Sequence, residues 1–358
     1  MDTFCVLPWF GTEFNWMGHQ SHCCLLPDSY NVEEIRAKML AGERPSACQK
    51  CWNLEDQGIR SDRQIKNEAL DYYWDRDLEF IKQDVALGNF QPRMLQMMTS
   101  YTCNAACATC GPGASSTWSQ LERKSNRFIE LKNKSYQYID LDQVKHQVDF
   151  KELKTMNLLG GEPLYEKRNF ELLEYIIDLG NTDLFLSFVT NGSVALTDRQ
   201  KAVLSKFKNL NFSISIDGVG NVFEYIRYPL KWNDLNDNLK FFREVTDNIS
   251  TSYTISNLNV LYHNQTTEWL SSQGIVFHAN PVYNPKHFQT RSLPASVKTV
   301  LKNTLNDNDY RAYVGEHTEI DDANFLKFVI EIKRQEQLKQ IKLQDYMPKL
   351  FELIEMYF

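Results

Sequence analysis

The sequence predicts an α/β protein, a partial barrel of six parallel strand and helix units, led by a small cysteine-rich domain and trailed by a helical extension. Three observations carry that prediction. From residue 93 onward, short apolar or alternating runs alternate with stretches of helical period, the rhythm of a parallel sheet covered by helices. The first 90 residues lack this rhythm and are rich in cysteine, aromatic and turn residues. After Pro294 the chain becomes charged and helical in pattern, and no cysteine follows Cys110. The expected domains are therefore 1–90, 91–290 and 291–358.

In the leading domain, 32–40 is amphipathic and 55–77 is a charged run of helical character. Strands are expected at 94–99, 156–159, 184–190, 211–216, 252–261 and 276–282. Helical periodicity falls between them, at 115–133, 141–149, 170–179, 198–207, 232–246 and 266–273. Right-handed crossovers curl such a chain into an open or partly closed barrel whose strand C-terminal ends face one mouth, where ligands bind. The extension should hold helices at 296–305, 321–342 and 349–356, and it carries no catalytic signature.

With 358 residues, 42% hydrophobic and 24% charged, the chain has ordinary globular composition and enough length for a full core. A net charge of -7 offers no basic field to gather phosphates, so neither nucleic-acid nor anionic-membrane binding is expected. No apolar run reaches membrane-spanning length, and the start MDTFCVLPWF lacks the features of a secretion signal, so a cytoplasmic location is expected. In such a compartment eight cysteines point to metal or cluster ligation rather than disulfides.

Cys103, Cys107 and Cys110 stand as CxxxCxxC directly after the first barrel strand, on a loop that Ala105, Ala106, Ala108, Gly111 and Gly113 leave sterically open. Three thiolates on a four-iron cluster leave one iron without a protein ligand, and catalysis at a metal needs such an open position. The competing reading is a zinc site. It requires a fourth ligand from afar, since no histidine lies between His22 and His146.

Further elements fall at successive strand ends: Gly160, Gly161, Glu162 and Pro163 after the second, Thr190-Asn191-Gly192 after the third, and Ser213 to Gly218 (SISIDG) after the fourth. Each alone also reads as a turn or a helix start. Ser115 and Ser116 read first as helix caps, Trp118 as core, and the aromatic group Tyr72, Tyr73 and Trp74 as packing between domains. His146, His263, His278 and His287 share no metal-ligand spacing and receive no catalytic role.

Taken together and in order, CxxxCxxC, GGEP, TNG and SISIDG resemble the radical S-adenosylmethionine superfamily. The resemblance implies a partial six-fold barrel, a 4Fe-4S cluster on Cys103, Cys107 and Cys110, and S-adenosylmethionine chelated through its amino and carboxylate groups. It further implies that Gly160, Gly161, Glu162 and Pro163 receive the methionine amino group, with Thr190 and Asn191 beside them. By the same resemblance Ser215 would bond the ribose, and Arg227 would pair with the methionine carboxylate. Two glycines let backbone carbonyls approach an ammonium, and a guanidinium suits a carboxylate; an exposed helical arginine is the competing reading of Arg227. Thr109 departs from the aromatic residue often found before the third cysteine, which puts adenine packing in question.

Cys5, followed by Gly18 and Cys23 and later by the Cys48 and Cys51 CxxC pair, resembles a twitch domain, a shortened relative of the SPASM domain, placed before the barrel rather than after it. The resemblance implies an auxiliary 4Fe-4S cluster on Cys5, Cys23, Cys48 and Cys51; Cys23 fits the glycine spacing and Cys24 does not. A four-thiolate zinc ribbon is the alternative, with His19 and His22 as further ligands.

By resemblance the expected activity is an oxidoreductase-type radical enzyme. It would reductively cleave S-adenosylmethionine to a 5'-deoxyadenosyl radical, abstract a substrate hydrogen, and oxidatively modify a peptide or protein. The same chemistry on a small sugar, alcohol or nucleotide-derived metabolite is the runner-up. A non-catalytic zinc or iron-sulfur scaffold is the alternative of another class. A flavodoxin or ferredoxin would supply the electron.

Overall fold

In the computed structural model the described residues are all except 1–2, 71–73, 75, 126–138 and 316–321. The second half of the helix expected at 115–133, together with Tyr72, Tyr73 and Asp321, lies outside them.

A single eight-stranded sheet organises the chain, in the order β2-β1-β3-β4-β5-β6-β7-β8. The strands are β1 (Gly11–Phe14), β2 (Gln20–Ser21), β3 (Met94–Met98), β4 (Thr155–Leu159), β5 (Phe185–Thr190), β6 (Asn209–Ile214), β7 (Ile249–Ile255) and β8 (Val276–Pro281). Every pairing from β1 to β8 is parallel, and only β1 with β2 is antiparallel. The register aligns Met98 with Leu159 and Thr190 with Ile214, so the strands end at one level. The loops that carry chemistry consequently leave the sheet side by side.

Strand period explains which face each residue takes. Leu95, Met97, Met156, Leu158, Leu186, Phe188, Leu210, Phe212 and Ile214 are buried in the main core, which also takes in Leu172, Leu173, Leu235, Leu239 and Phe242 from covering helices. The alternate residues Gln96, Asn157, Ser187 and Asn211 are half-buried and polar. They pair across strands, Asn157 Nδ2 donating to Gln96 Oε1 at 3.1 Å and Asn211 Nδ2 to Ser187 Oγ at 2.8 Å.

Six of the eight strands were expected. β1 and β2 were not, and they change the relation of the first 90 residues to the rest: β1 lies parallel beside β3, so the sheet runs across the boundary expected after residue 90. The leading segment keeps a core of its own around Phe4, Val6, Trp9, Phe10, Ile35 and Ile81. The strand expected at 252–261 begins earlier and stops at Ile255. Asn259 accepts from the Ser256 backbone at 2.7 Å, and Asn257 reaches the His287 carbonyl at 2.9 Å, so side chains take over from the strand ladder there. A short helix, Asn221–Ile226, was not anticipated.

The extension forms helices Ala295–Thr304, Asp307–Tyr313, Asp322–Lys339, Leu343–Tyr346 and Pro348–Ile354. Their apolar faces close a second core with Tyr253 and Ile255 of β7 and with Val222, Tyr225 and Ile226. Among the described residues no helix is long and apolar enough to cross a membrane.

Candidate active site

The loop after β3 holds the three barrel cysteines, and it is fastened from several directions. Its backbone is tied by Ala106 N–H to the Tyr228 carbonyl at 2.6 Å and by Ala108 N–H to the Ile226 carbonyl at 2.7 Å. The next helix, Ser116–Lys124, is capped by the Ser115 hydroxyl accepting from Trp118 N–H. Ser115 also donates to the Ala105 carbonyl, and Ser116 Oγ accepts from Cys103 N–H at 3.0 Å. The Trp118 indole donates to the Cys107 carbonyl at 2.8 Å. Ser115 therefore caps the helix and Trp118 is core, as read, whereas Ser116 is no cap but the first helical residue, bonded to Cys103; all three fasten the loop.

Cys103 and Cys107 are buried and Cys110 is exposed. Burial pushes the Cys103 thiol up to about 12. A hydrogen bond from Cys110 holds the Cys107 thiol below its ordinary value, and the Arg227 guanidinium adds to that effect. Arg227 caps the Asn221–Ile226 helix and is half-buried rather than exposed. It donates to Cys107 Sγ at 3.7 Å and to Asp217 Oδ2 at 2.6 Å. Asp217 is fixed by Thr254 N–H at 3.1 Å, and its carbonyl accepts from Asn259. It is neither a free base nor merely a turn residue; it orients Arg227.

The element after β4 packs against the cysteine loop at backbone distance. A Cβ on Gly161 would stand 2.2 Å from the Thr102 carbonyl oxygen, and one on Gly160, whose φ is +122°, 2.8 Å from that of Ser100. Only glycine permits this approach. Glu162 is buried, its N–H donates to Thr102 O at 2.8 Å, and its carboxylate accepts from Leu164 N–H at 3.0 Å, Thr190 Oγ1 at 2.6 Å and Asn191 N–H at 2.7 Å. Three of roughly four acceptor sites are thus used inside the protein. Burial outweighs these donors and raises the carboxyl to about 7. The Pro163 carbonyl accepts from buried Asn169.

Asn191 extends the same network, its Nδ2 donating to Asn104 Oδ1 at 2.7 Å, beside Cys103. Ser215 follows β6 and is half-buried, its N–H bonded to the Thr190 carbonyl at 2.7 Å. Hydrogen bonds, backbone packing and the sheet register thus join every expected barrel residue into one mouth.

The residues fit a cluster and its cofactor on one observation in particular: buried Arg227 Nε has no hydrogen-bond partner among the described residues, beside a loop bearing three thiols. No group of three or more His, Cys, Asp or Glu among the described residues is arranged to hold a single metal ion.

Sequence reasoning missed three residues at this site, all from the extension read as lacking chemistry. Gln335 donates to the Ala108 carbonyl at 2.8 Å, and Lys339, only 4% exposed, donates to Gln335 Oε1 at 2.8 Å. Arg334 pairs with buried Glu122 of the helix behind the loop. In sequence a lysine and a glutamine four apart within a charged helix read as a solvated face, so no signal marked them.

At the other end of the chain, Cys5, Cys23, Cys48 and Cys51 line a single small cavity, together with Leu7, Met39 and Arg63. Cys24 is exposed and does not line it. Burial raises the Cys5 thiol well above its ordinary range and Cys48 to about 11. Arg63 is bound bidentately to Glu55, at 2.9 and 2.7 Å, and donates to the Phe4 carbonyl. His263 is structural, stacked on Tyr253 and paired with Asp309 at 3.3 Å.

The aligned strand ends of a parallel α/β sheet thus present three thiols, a buried carboxylate and a half-buried arginine. Residues 97–270 match the model of the radical SAM superfamily, whose members are enzymes. No curated protein matches the chain. Among solved structures, it is similar to native anSMEcpe with bound AdoMet (15% identity, TM-score 0.39), covering 53% of this chain and 52% of that one. It is similar to Streptococcus suis SuiB bound to S-adenosylmethionine (14% identity, TM-score 0.39; 78% and 61% covered). A third is TYW1 with a lysine-pyruvate adduct bound (16% identity, TM-score 0.33; 74% and 90% covered). The chain thus spans about half the length of the anSMEcpe chain it matches.

Proposed function

We propose that this chain is a radical SAM enzyme that oxidatively modifies a peptide or protein, with 4Fe-4S clusters at both cysteine sites. When bound, the barrel cluster and S-adenosylmethionine supply the hard chemistry: one electron breaks a carbon-sulfur bond of the sulfonium, giving methionine and a 5'-deoxyadenosyl radical that takes a hydrogen atom from the substrate. Cys103, Cys107 and Cys110 hold the barrel cluster. Gly160, Gly161, Glu162 and Pro163 receive the methionine ammonium, and Ser215 binds the ribose. Arg227, with donors to spare beyond Asp217, takes the carboxylate.

The observation that carries the two-cluster reading is the convergence of Cys5, Cys23, Cys48 and Cys51 on one cavity, although 45 residues of sequence lie between the first and the last. An auxiliary cluster there would accept the electron left on the substrate radical, which makes the net reaction an oxidation. The peptide assignment rests on the resemblance to twitch and SPASM proteins. The polar inner face of Gln96, Asn157, Ser187 and Asn211 favours a second reading, a small hydroxylated metabolite as substrate.

Anaerobic reconstitution followed by reduction tests the proposal. About eight irons per chain and formation of 5'-deoxyadenosine are expected. Replacing Cys103, Cys107 and Cys110 by alanine should abolish that product; its unchanged formation would sink the barrel assignment. About four irons in the parent chain would sink the auxiliary one.

A further inference from the structure

We propose that Lys339, delivered by the C-terminal extension, is a positioning residue that sets the reduction potential of the barrel cluster through its buried positive charge. The inference rests on the cluster assignment above.

Lys339 is the last residue of the helix Asp322–Lys339, where a cation also complements the helix C-terminus. Its ammonium lies 4.7 Å from the Trp118 ring centroid and 5.8 Å from that of Tyr228. These two residues themselves grip the cysteine loop, Trp118 at the Cys107 carbonyl and Tyr228 at the Ala106 N–H. Gln335 completes the enclosure by bonding both Lys339 and the carbonyl of Ala108, the residue next to Cys107.

The helix thereby places a cation behind the loop, joined to it through Gln335 and the rings of Trp118 and Tyr228. Burying an ammonium is expensive, and among the described residues its one side-chain hydrogen bond is to a neutral amide. The aromatic faces recover part of that cost. Glu331, which accepts from Gln335 at 2.9 Å and is shared with Arg334, lends some negative charge, and a negatively charged group on the thiols would add to it. Burial pushes Lys339 down to about 7, while the charge on Cys107 opposes that shift.

The sign of the effect follows from charge. When one electron passes from a reductant such as dithionite to the cluster, the site becomes more negative by one unit, and a fixed nearby cation stabilises that state. Cluster potentials respond to net charge, hydrogen bonding and exposure around the sulfurs. Removing the ammonium should therefore make the cluster harder to reduce.

The test is an anaerobic redox titration of the reconstituted full chain, followed by electron paramagnetic resonance at mildly acidic pH. Cys48→Ala and Cys51→Ala are present throughout, so that only the barrel site loads. Lys339→Met should lower the equilibrium constant for one-electron reduction about tenfold, a shift of about 59 mV to more negative potential, at unchanged iron content. Lys339→Arg, which keeps the charge, should stay near the parent. Equal potentials in parent and Lys339→Met would overturn the proposal, as would an equal shift in Lys339→Arg, which would assign the effect to packing. Lys339→Gln replaces the methionine variant if circular dichroism shows that the latter unfolds. Failure of the parent to load iron on Cys103, Cys107 and Cys110 would instead overturn the cluster assignment.

Discussion

Glu162 shows how one side chain serves as a joint. Its carboxylate gathers donors from the segment after β4 and from the end of β5, while its own N–H reaches the cysteine loop. Burial raises its folded-state pKa to about 7, above the ordinary carboxyl value. The protonated form is thus favoured by folding, a contribution fully present below the unfolded-state value and lost as pH rises through about 7. Thermal melts of the cofactor-free chain should show falling stability between mildly acidic and mildly alkaline pH, and Glu162→Gln should flatten that dependence. GGEP was visible in sequence because glycine and a carboxylate have few interchangeable substitutes; that the carboxylate also braces β5 depends on register. Arg227 was ambiguous for a related reason. Its buried pairing with Asp217 is made across a turn whose geometry a linear pattern does not encode.

At the scale of elements, the mouth depends on two loops meeting at backbone distance. Gly161→Ala must push its methyl group into the Thr102 carbonyl. Overpacking of this kind costs about 1–3 kcal/mol, to be read from urea denaturation, and iron loading on the barrel cysteines should fall with it. The six barrel strands were legible because alternating burial writes itself into sequence with a period of two. β1 and β2 were not, because four and two residues are too few to establish any period. The strand end at Ile255 was overrun for another reason: 256–261 is apolar enough to continue, yet Asn257 and Asn259 divert the backbone.

Across the whole molecule, the leading segment extends the sheet at β1 and the extension closes the second core at β7. Phe328, fully buried there, packs edge-on to Phe288 and against Phe325. Phe328→Ala should cost about 3–5 kcal/mol in urea denaturation, with a loss of near-ultraviolet dichroism from the surrounding rings. The helical character of the extension was readable from its charge pattern. Its contribution to the active site was not, since contact with the cysteine loop arises only from tertiary packing.

The bond from Gln335 to the Ala108 carbonyl spans 227 residues of sequence. On a ribosome, the cysteine loop emerges roughly 10–45 s before its last anchor, at ordinary rates of synthesis. The nascent thiols are therefore displayed without the residues that later enclose them. Iron-sulfur delivery can precede that enclosure or wait for it, but the finished pocket exists only after the helix Asp322–Lys339 is made. Emergence of that helix is thereby the event that seals the site.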